Sequence, residues 1–223
     1  MLRLRLDLHI HTSFSHDAVI KIEELAPYAK LSGLDGFAVT DHDTLEGALR
    51  AQKDCPDFIV VPGMEIETRN GHLLAMDPQR TVQRGLSFHD TVRDIHKAKG
   101  FAILAHPYSL VKSGHDFGIL SGGGLDAVEA ANASSFPYGW CQARSRSLAL
   151  RLGLPVTGGS DAHVPQVIGR AYTVVESETR DLEGVLDAIR SGRTGAEGRG
   201  VAFREWGLKL VKQLFSGSKP KQE

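Results

Sequence analysis

From its second residue the chain alternates: Leu2, Leu4, Leu6, Leu8 and Ile10 are apolar, and Arg3, Arg5, Asp7, His9 and His11 separate them or follow. A period of two is that of a β-strand, whose successive side chains point to opposite faces. The chain therefore opens on a strand with one apolar and one polar face. Such a strand suits a barrel, its apolar face packed against surrounding helices and its two histidines and aspartate turned toward a polar mouth.

Short strand patterns follow at Gly36–Thr40, Phe58–Val61, His72–Met76, Ala102–Ala105, Ala127–Ala130, Pro155–Gly158 and Ala171–Val174. Helical patterns cover Ile22–Ser32, Leu45–Gln52, Phe88–Lys99, Gly139–Leu152 and Leu182–Ser191. Gly33, Gly100, Gly153 and Gly192 fall just past four of these helices, where a left-handed cap is wanted, and Pro27 marks a kink or a later start of the first. Strands alternating with helices at this spacing mean an α/β protein with a mainly parallel sheet, doubly wound or closed. The first strand favours closure.

The 223 residues suit one domain, here a barrel over residues 1–200. The remainder, 201–223, carries Phe203, Trp206, Leu210 and Leu214 at helical steps before a polar tail, and this stripe is expected to cover the barrel's own apolar surface. With 26 Lys+Arg against 27 Asp+Glu the formal charge is -1, which gives no basis for wrapping long nucleic acid. The apolar runs are far shorter than the roughly 20 residues of a membrane span, and the alternating start is unlike a secretory leader. Two well-separated cysteines, Cys55 and Cys141, form no disulfide framework. A cytoplasmic protein is expected. Ser121–Gly124 is glycine-rich but lacks the Lys-Ser/Thr ending of a phosphate-binding loop and reads as a flexible connection.

Ten histidines are the unusual number. His9 and His11, one residue apart on a strand, project from the same face within reach of one ion. Other histidines and carboxylates sit just past strand patterns: Asp41 and His42, Glu65 after a Pro-Gly turn, His106, and Asp161 with His163. In an α/β barrel the carboxyl ends of the strands converge on the mouth, so these dispersed groups should meet in space. Imidazole and carboxylate without thiolate suit Zn²⁺, Mn²⁺ or Fe, and the donors exceed the needs of one ion.

DLHIHT at 7–12, TDHDT at 40–44, GMEIET at 63–68, AHP at 105–107 and GSDAH at 159–163 resemble, in order, the motifs of the PHP (polymerase and histidinol phosphatase) superfamily. The resemblance runs from residue 7 to about 195. It implies a distorted (β/α)7 barrel, a trinuclear metal site at the carboxyl ends of the strands, and hydrolysis of phosphate esters. Residue by residue, it implies that His9, His11, Glu65 and Asp161 hold one ion, that Glu65 bridges to a second held by His72 and His106, and that Asp17, His42 and His163 hold a third. His16 competes with Asp17, which the spacing from His9 favours; His89 competes with His72, which is favoured because it begins an apolar strand.

The expected activity is hydrolysis of a small phosphate ester, such as a nucleotide or sugar phosphate, by a hydroxide bridging the ions. Asp161 or His163 delivers the leaving-group proton, and Glu65 completes the catalytic set. Arg144, Arg146 and Arg193 are candidates for holding the substrate phosphate. Asp7 and Asp41 are read as orienting the ligand histidines rather than binding metal. The alternatives are a phosphodiesterase trimming short oligonucleotides, an amidohydrolase-like enzyme, which Glu65 in place of a lysine weakens, and a metal-stabilised regulatory module without activity.

Overall fold

The structure, a computed structural model, describes residues 1–110 and 123–201. The apolar stripe at 203–214 and His115 lie outside the described residues. The elements are β1 (Leu2–Ile10), α1 (Ile22–Leu31), β2 (Gly36–Val39), α2 (Glu46–Asp54), β3 (Ile59–Thr68), β4 (Gly71–Met76), α3 (Phe88–Lys97) and β5 (Phe101–Leu104). β6 (Ala127–Asn132), α4 (Tyr138–Leu152), β7 (Val156–Gly159), β8 (Ala171–Ser177), α5 (Leu182–Arg190) and β9 (Thr194–Gly198) complete them.

All nine strands join one sheet in the order β7-β6-β5-β4-β3-β2-β1-β8-β9. β4 runs antiparallel to β3 and β5, and β8 antiparallel to β1 and β9; the other seven share one direction. The sheet is nearly closed into a distorted barrel. At the seam, the Gly158 N–H donates to the Thr173 hydroxyl (2.8 Å), which donates back to the Gly158 carbonyl (2.9 Å). The loop after β7 is fastened to β1 by Asp161 N–H donating to the His9 carbonyl (2.8 Å) and His11 N–H to the Ala162 carbonyl (2.9 Å).

Inside the barrel, Leu4, Leu6, Leu8, Ala38, Ile59, Val61, Leu74, Met76, Phe101 and Ile103 form one buried cluster, and Val185 and Ile189 of α5 seal the end where β1 begins. Outside, Phe37, Val39 and Val60 pack under α1 and α2, and Leu73, Ala102 and Leu104 under α3. Each fully buried Leu, Phe or Ile contributes about 1.5–3 kcal/mol of transfer free energy.

Two expectations for the strands are corrected. The leucines of β1 face the interior, not the helices, and Arg5 and Asp7 occupy the other face; between Asp7 and Ile10 the register against β2 slips, three steps of β1 spanning two of β2. This bulge inverts the parity of the strand, so that His9 and His11 turn inward while Ile10 goes out to the helices. Asp7 therefore does not share a face with the histidines. Second, Pro62-Gly63 is no turn. β3 runs through it and changes partner there, parallel to β2 up to Pro62 and antiparallel to β4 from Gly63, so Glu65 sits within the strand.

Among the helices, Pro27 lies inside α1 without delaying its start at Ile22. After α3 the left-handed residue is Lys99 (φ 62°) rather than Gly100, whose small size instead admits the Met76 carbonyl, 3.0 Å from where a Cβ would stand. No helix among the described residues is long and apolar enough to cross a membrane.

Candidate metal centre

The carboxyl ends of β1, β2, β5 and β7 and the middle of β3 deliver His9, His11, His42, His106, Asp161, His163 and Glu65 to one end of the barrel. His72 arrives from the start of β4, because a reversed strand begins where its neighbours end. Positive φ at His106 (28°) and Asp161 (53°) bends the chain inward at two of these ends.

Glu65, 1% exposed, is the hub. Its Oε1 lies 3.0 Å from His72 Nδ1 and 2.9 Å from His106 Nε2. Its Oε2 lies 3.2 Å from His11 Nε2, 3.5 Å from His9 Nε2 and 3.3 Å from His42 Nδ1. The two oxygens thus address different sets of imidazoles. Asp161 Oδ1 is 3.6 Å from His11 Nε2 and 3.4 Å from His163 Nδ1, and Asp17 stands between His163 (3.0 Å) and His42 (3.5 Å). His16 lies outside, its ring 5.5 Å from that of His42 in a cleft with Phe14 and Lys21. His89 is in the first turn of α3, edge-on to Phe88, and joins none of the donor sets.

Hydrogen bonds fix which imidazole nitrogen faces the centre. His9 Nδ1 donates to Glu129 Oε1 (2.9 Å), and His163 Nδ1 to the Asp161 carbonyl (3.0 Å). The single hydroxyl proton of Ser15 goes to Asp41 Oδ1 (2.7 Å), so Ser15 Oγ accepts from His11 Nδ1 (3.2 Å). In the neutral form of each of these rings the Nε2 lone pair points inward. Two of these, on His9 and His11, approach to 3.1 Å. Facing lone pairs repel unless a cation or proton lies between them.

Three sets of donor atoms, each mutually within 4.8 Å, are present: His9, His11 and Asp161; Glu65, His72 and His106; His11, His42 and His163. Nitrogen and oxygen donors with fixed tautomers and buried carboxylates fit divalent transition metals. Both cysteines are elsewhere, Cys55 under α2 and Cys141 on α4.

Burial opposes ionisation throughout the cluster, and neighbouring charge decides each outcome. Burial resists a charged His9, but Glu129, Asp161 and Glu65 hold its pKa well above the usual value. Burial, with His163 and His9 adding repulsion, drives His11 well below. Glu65 stays ionised against burial because the charge on His9 and the bonds from His106 and His72 outweigh it, and Asp17 likewise through His163 and His42.

Around the cluster, Asp41 accepts from the Thr12 N–H and hydroxyl (2.6 Å each) and, through Ser15, steadies His11. Asp7 touches no imidazole. It accepts from the N–H groups of Ser160 and Gly169 (2.8 Å each) and, at 3.3 Å, of His9, so it positions the loop that carries Asp161; burial pushes its pKa up to about 6 against those bonds. Glu129 and Asn132 were not foreseen. Glu129 Oε2 accepts from the His106 N–H (2.8 Å) and from Asn132 Nδ2 (3.0 Å), which also reaches Asp161 Oδ2 (3.2 Å). The available signal was a lone carboxylate inside the otherwise apolar start of β6, where a register slip after Glu129 repeats the device of β1.

The three arginines are not gathered here. Arg193 donates to the Glu176 carbonyl (3.2 Å) and pairs with Asp187 (2.6 Å). Because Glu176 is opposite Arg3, Arg193 sits at the far end of β1, six residues or about 20 Å from His9. Arg146 donates to the Ala196 carbonyl. Arg144 lies over the Trp140 ring, 5.6 Å from its centroid.

The profile of the PHP-associated family matches residues 142–194. The chain is 33% identical over 118 residues to the uncharacterized protein MJ1587 of Methanocaldococcus jannaschii, a match covering 48% of this chain and 69% of that protein. Its fold is similar to a Bacteroides vulgatus two-domain protein containing a predicted PHP-like metal-dependent phosphoesterase (TM-score 0.76, 19% identity, 95% of this chain and 70% of that one). It is similar also to a lesion-specific endonuclease of Pyrococcus furiosus (TM-score 0.64, 18% identity, 87% of this chain and 58% of that one). The profile takes in Asp161 and His163, the fold places them beside the histidines of β1, and the chain belongs to the PHP superfamily.

Proposed function

We propose that this protein hydrolyses a small phosphate ester, with His9, His11, Asp17, His42, Glu65, His72, His106, Asp161 and His163 holding three divalent ions of manganese, iron or zinc. The observation that carries this reading is the division of Glu65, one oxygen toward His72 and His106 and the other toward His9, His11 and His42. A carboxylate so placed offsets the mutual repulsion of cations on its two sides. When bound, such cations lower the pKa of water toward neutrality and neutralise charge on a transferred phosphoryl group.

The chain's own groups supply the rest. Glu129, Ser15 and the Asp161 carbonyl hold the Nε2 atoms of His9, His11 and His163 inward without rearrangement during reaction. Asp161 and His163, 3.4 Å apart at the mouth, are assigned the relay of a proton to the leaving alkoxide through a water beside them. A barrel unit ending near residue 200 is supported by β9 closing the sheet at Gly198, and a reducing cytoplasm by two unpaired buried cysteines.

Small substrates are supported by the formal charge of -1. Trimming of short oligonucleotides is the second reading, favoured by the likeness to the Pyrococcus furiosus endonuclease. A metal-supplemented screen of phosphomonoesters, cyclic diesters and short oligonucleotides, scored by kcat/KM, separates the two. A hundredfold preference for oligonucleotides would reverse their order, and full activity in metal-free protein would end both.

A further inference from the structure

The rim of the mouth beside β5 and β6 carries aromatic side chains that the metal centre does not use. Tyr108 follows His106 by two residues, and its carbonyl accepts from Cys141 Sγ (3.3 Å), which ties it to α4. Trp140, in the first turn of α4, meets Tyr108 edge to face with ring centroids 6.0 Å apart. Trp140 is 45% and Phe136 57% exposed. Phe136 is four residues past Asn132, whose amide touches Asp161, so at most about 14 Å of chain separates it from the cluster.

Cationic groups back these rings. The Arg144 guanidinium lies over Trp140, and Arg151 donates to the Tyr108 hydroxyl at 3.4 Å. A part-exposed indole with a guanidinium over one face and an exposed phenyl ring near it, beside a phosphoester site, match the chemistry that holds unpaired bases: stacking on the ring, attraction of the phosphate by the charge. A sugar phosphate without a base would leave the rings unused.

Resting on the phosphoesterase reading, we propose that Trp140, flanked by Phe136 and Tyr108, stacks the nucleobase of the substrate, so that the ester hydrolysed is a nucleotide or the terminal nucleotide of a single strand. Arg144, a candidate phosphate ligand from sequence, acts instead through Trp140 by holding its ring.

The test is isothermal titration of the full, manganese-loaded protein with the methylene phosphonate analogues of AMP and of ribose 5-phosphate, whose C–P bonds resist hydrolysis. Wild type is expected to prefer the adenine-bearing analogue about tenfold or more. Trp140→Ala should lose about five- to 150-fold of affinity for that analogue, the range found for base–aromatic stacking, and Trp140→Phe should recover most of it. Phe136→Ala, at the more exposed site, should lose less. A 5′-capped tetrathymidylate binding more tightly than the AMP analogue would identify a strand end as the source of the base. Equal binding of the two phosphonates by wild type, or an unchanged ratio in Trp140→Ala, overturns the proposal even where phosphate esters are hydrolysed. A Trp140-dependent preference in a protein that hydrolyses none of them would keep the stacking site and remove the phosphoesterase reading.

Discussion

Replacing Gly159 by alanine tests the idea that contact between β7 and β1 sets the geometry of the centre. A Cβ at Gly159 would lie 2.3 Å from His9 Cβ, 2.7 Å from His9 N and 3.0 Å from His9 Cα. Carbon atoms in contact sit about 3.5–4.0 Å apart, so the two strands must part by roughly 1.2–1.7 Å. Backbone faces backbone here, and no side-chain rotamer can relieve the overlap. Overpacking of this kind costs about 1–3 kcal/mol. Stretching the Asp161 N–H bond to the His9 carbonyl (2.8 Å) and the His11 N–H bond to the Ala162 carbonyl (2.9 Å) adds about 1 kcal/mol. For a chain of this length the sum corresponds to a fall in Tm of roughly 5–15 °C. The same movement carries Asp161 away from His11, and a misplacement near 1 Å costs on the order of a hundredfold in rate. Thermal melting, metal content after dialysis and kcat/KM read the three consequences. Gly139→Ala, whose added Cβ meets nothing within 4 Å on α4, is the control and should be neutral or stabilising by up to about 1 kcal/mol. A Gly159→Ala protein melting within about 1 °C of wild type with its metal intact would refute the reasoning.

Further outcomes follow from the same geometry. Glu65→Gln removes the charge that faces five imidazoles and should lower metal content and kcat/KM together, by about a hundredfold or more, read by elemental analysis and ester hydrolysis; retention of both would remove Glu65 from its bridging role. Asp7→Asn keeps the shape but turns an amide NH₂ toward an N–H donor from Ser160 or Gly169, and a loss of about 1–3 kcal/mol is expected by denaturant unfolding, with no loss expected if the carboxylate merely fills space. Arg193→Ala, at the opposite end of β1, should leave kcat/KM within about twofold and cost about 0.5–1 kcal/mol through its ion pair with Asp187, whereas a large rise in KM would return it to the phosphate site. Chelation should lower Tm by several degrees, and excess Mn²⁺ or Zn²⁺ should restore it, because an ion that binds only the folded site stabilises by mass action.

The class of fold was legible because alternation and capping are local. Helix starts at Ile22, Phe88 and Leu182 match their sequence patterns, with Ser87 and Asp181 accepting from Asp90 and Gly184 N–H groups as caps. What stayed hidden depends on partners distant in sequence. Pro62-Gly63 has the composition of a turn, yet the strand passes through it because β2 ends where β4 takes over the pairing, and Gly63 leaves room for Thr40 and the Ala75 carbonyl within 3.0–3.2 Å of an added Cβ. β9, TGAEG, has too little apolar alternation to be read as a strand. It pairs with β8 and places only Ala196 in a buried cluster.

The site shows the same division more sharply. Spacing identified H-x-H, but strict alternation would have put Asp7 beside the two histidines and the leucines against the helices. One extra residue between Asp7 and Ile10 reverses this, and a second slip in β6 lets Glu129 and Asn132 both reach the centre. In β1 the inward face is apolar below the bulge, where it fills the barrel, and polar above it, where it lines the mouth, so the bulge divides a hydrophobic core from a charged centre within one strand. In β6 the change comes before the slip, from Ala127 to Glu129, and the slip turns Asn132 toward the same centre. Neither bulge has a glycine or other local mark in the sequence at Leu8-His9 or Ala130-Ala131. The register is imposed by what packs on either side, Leu8 against the core and Ile10 against the helices, which is why the donors were readable and their arrangement was not.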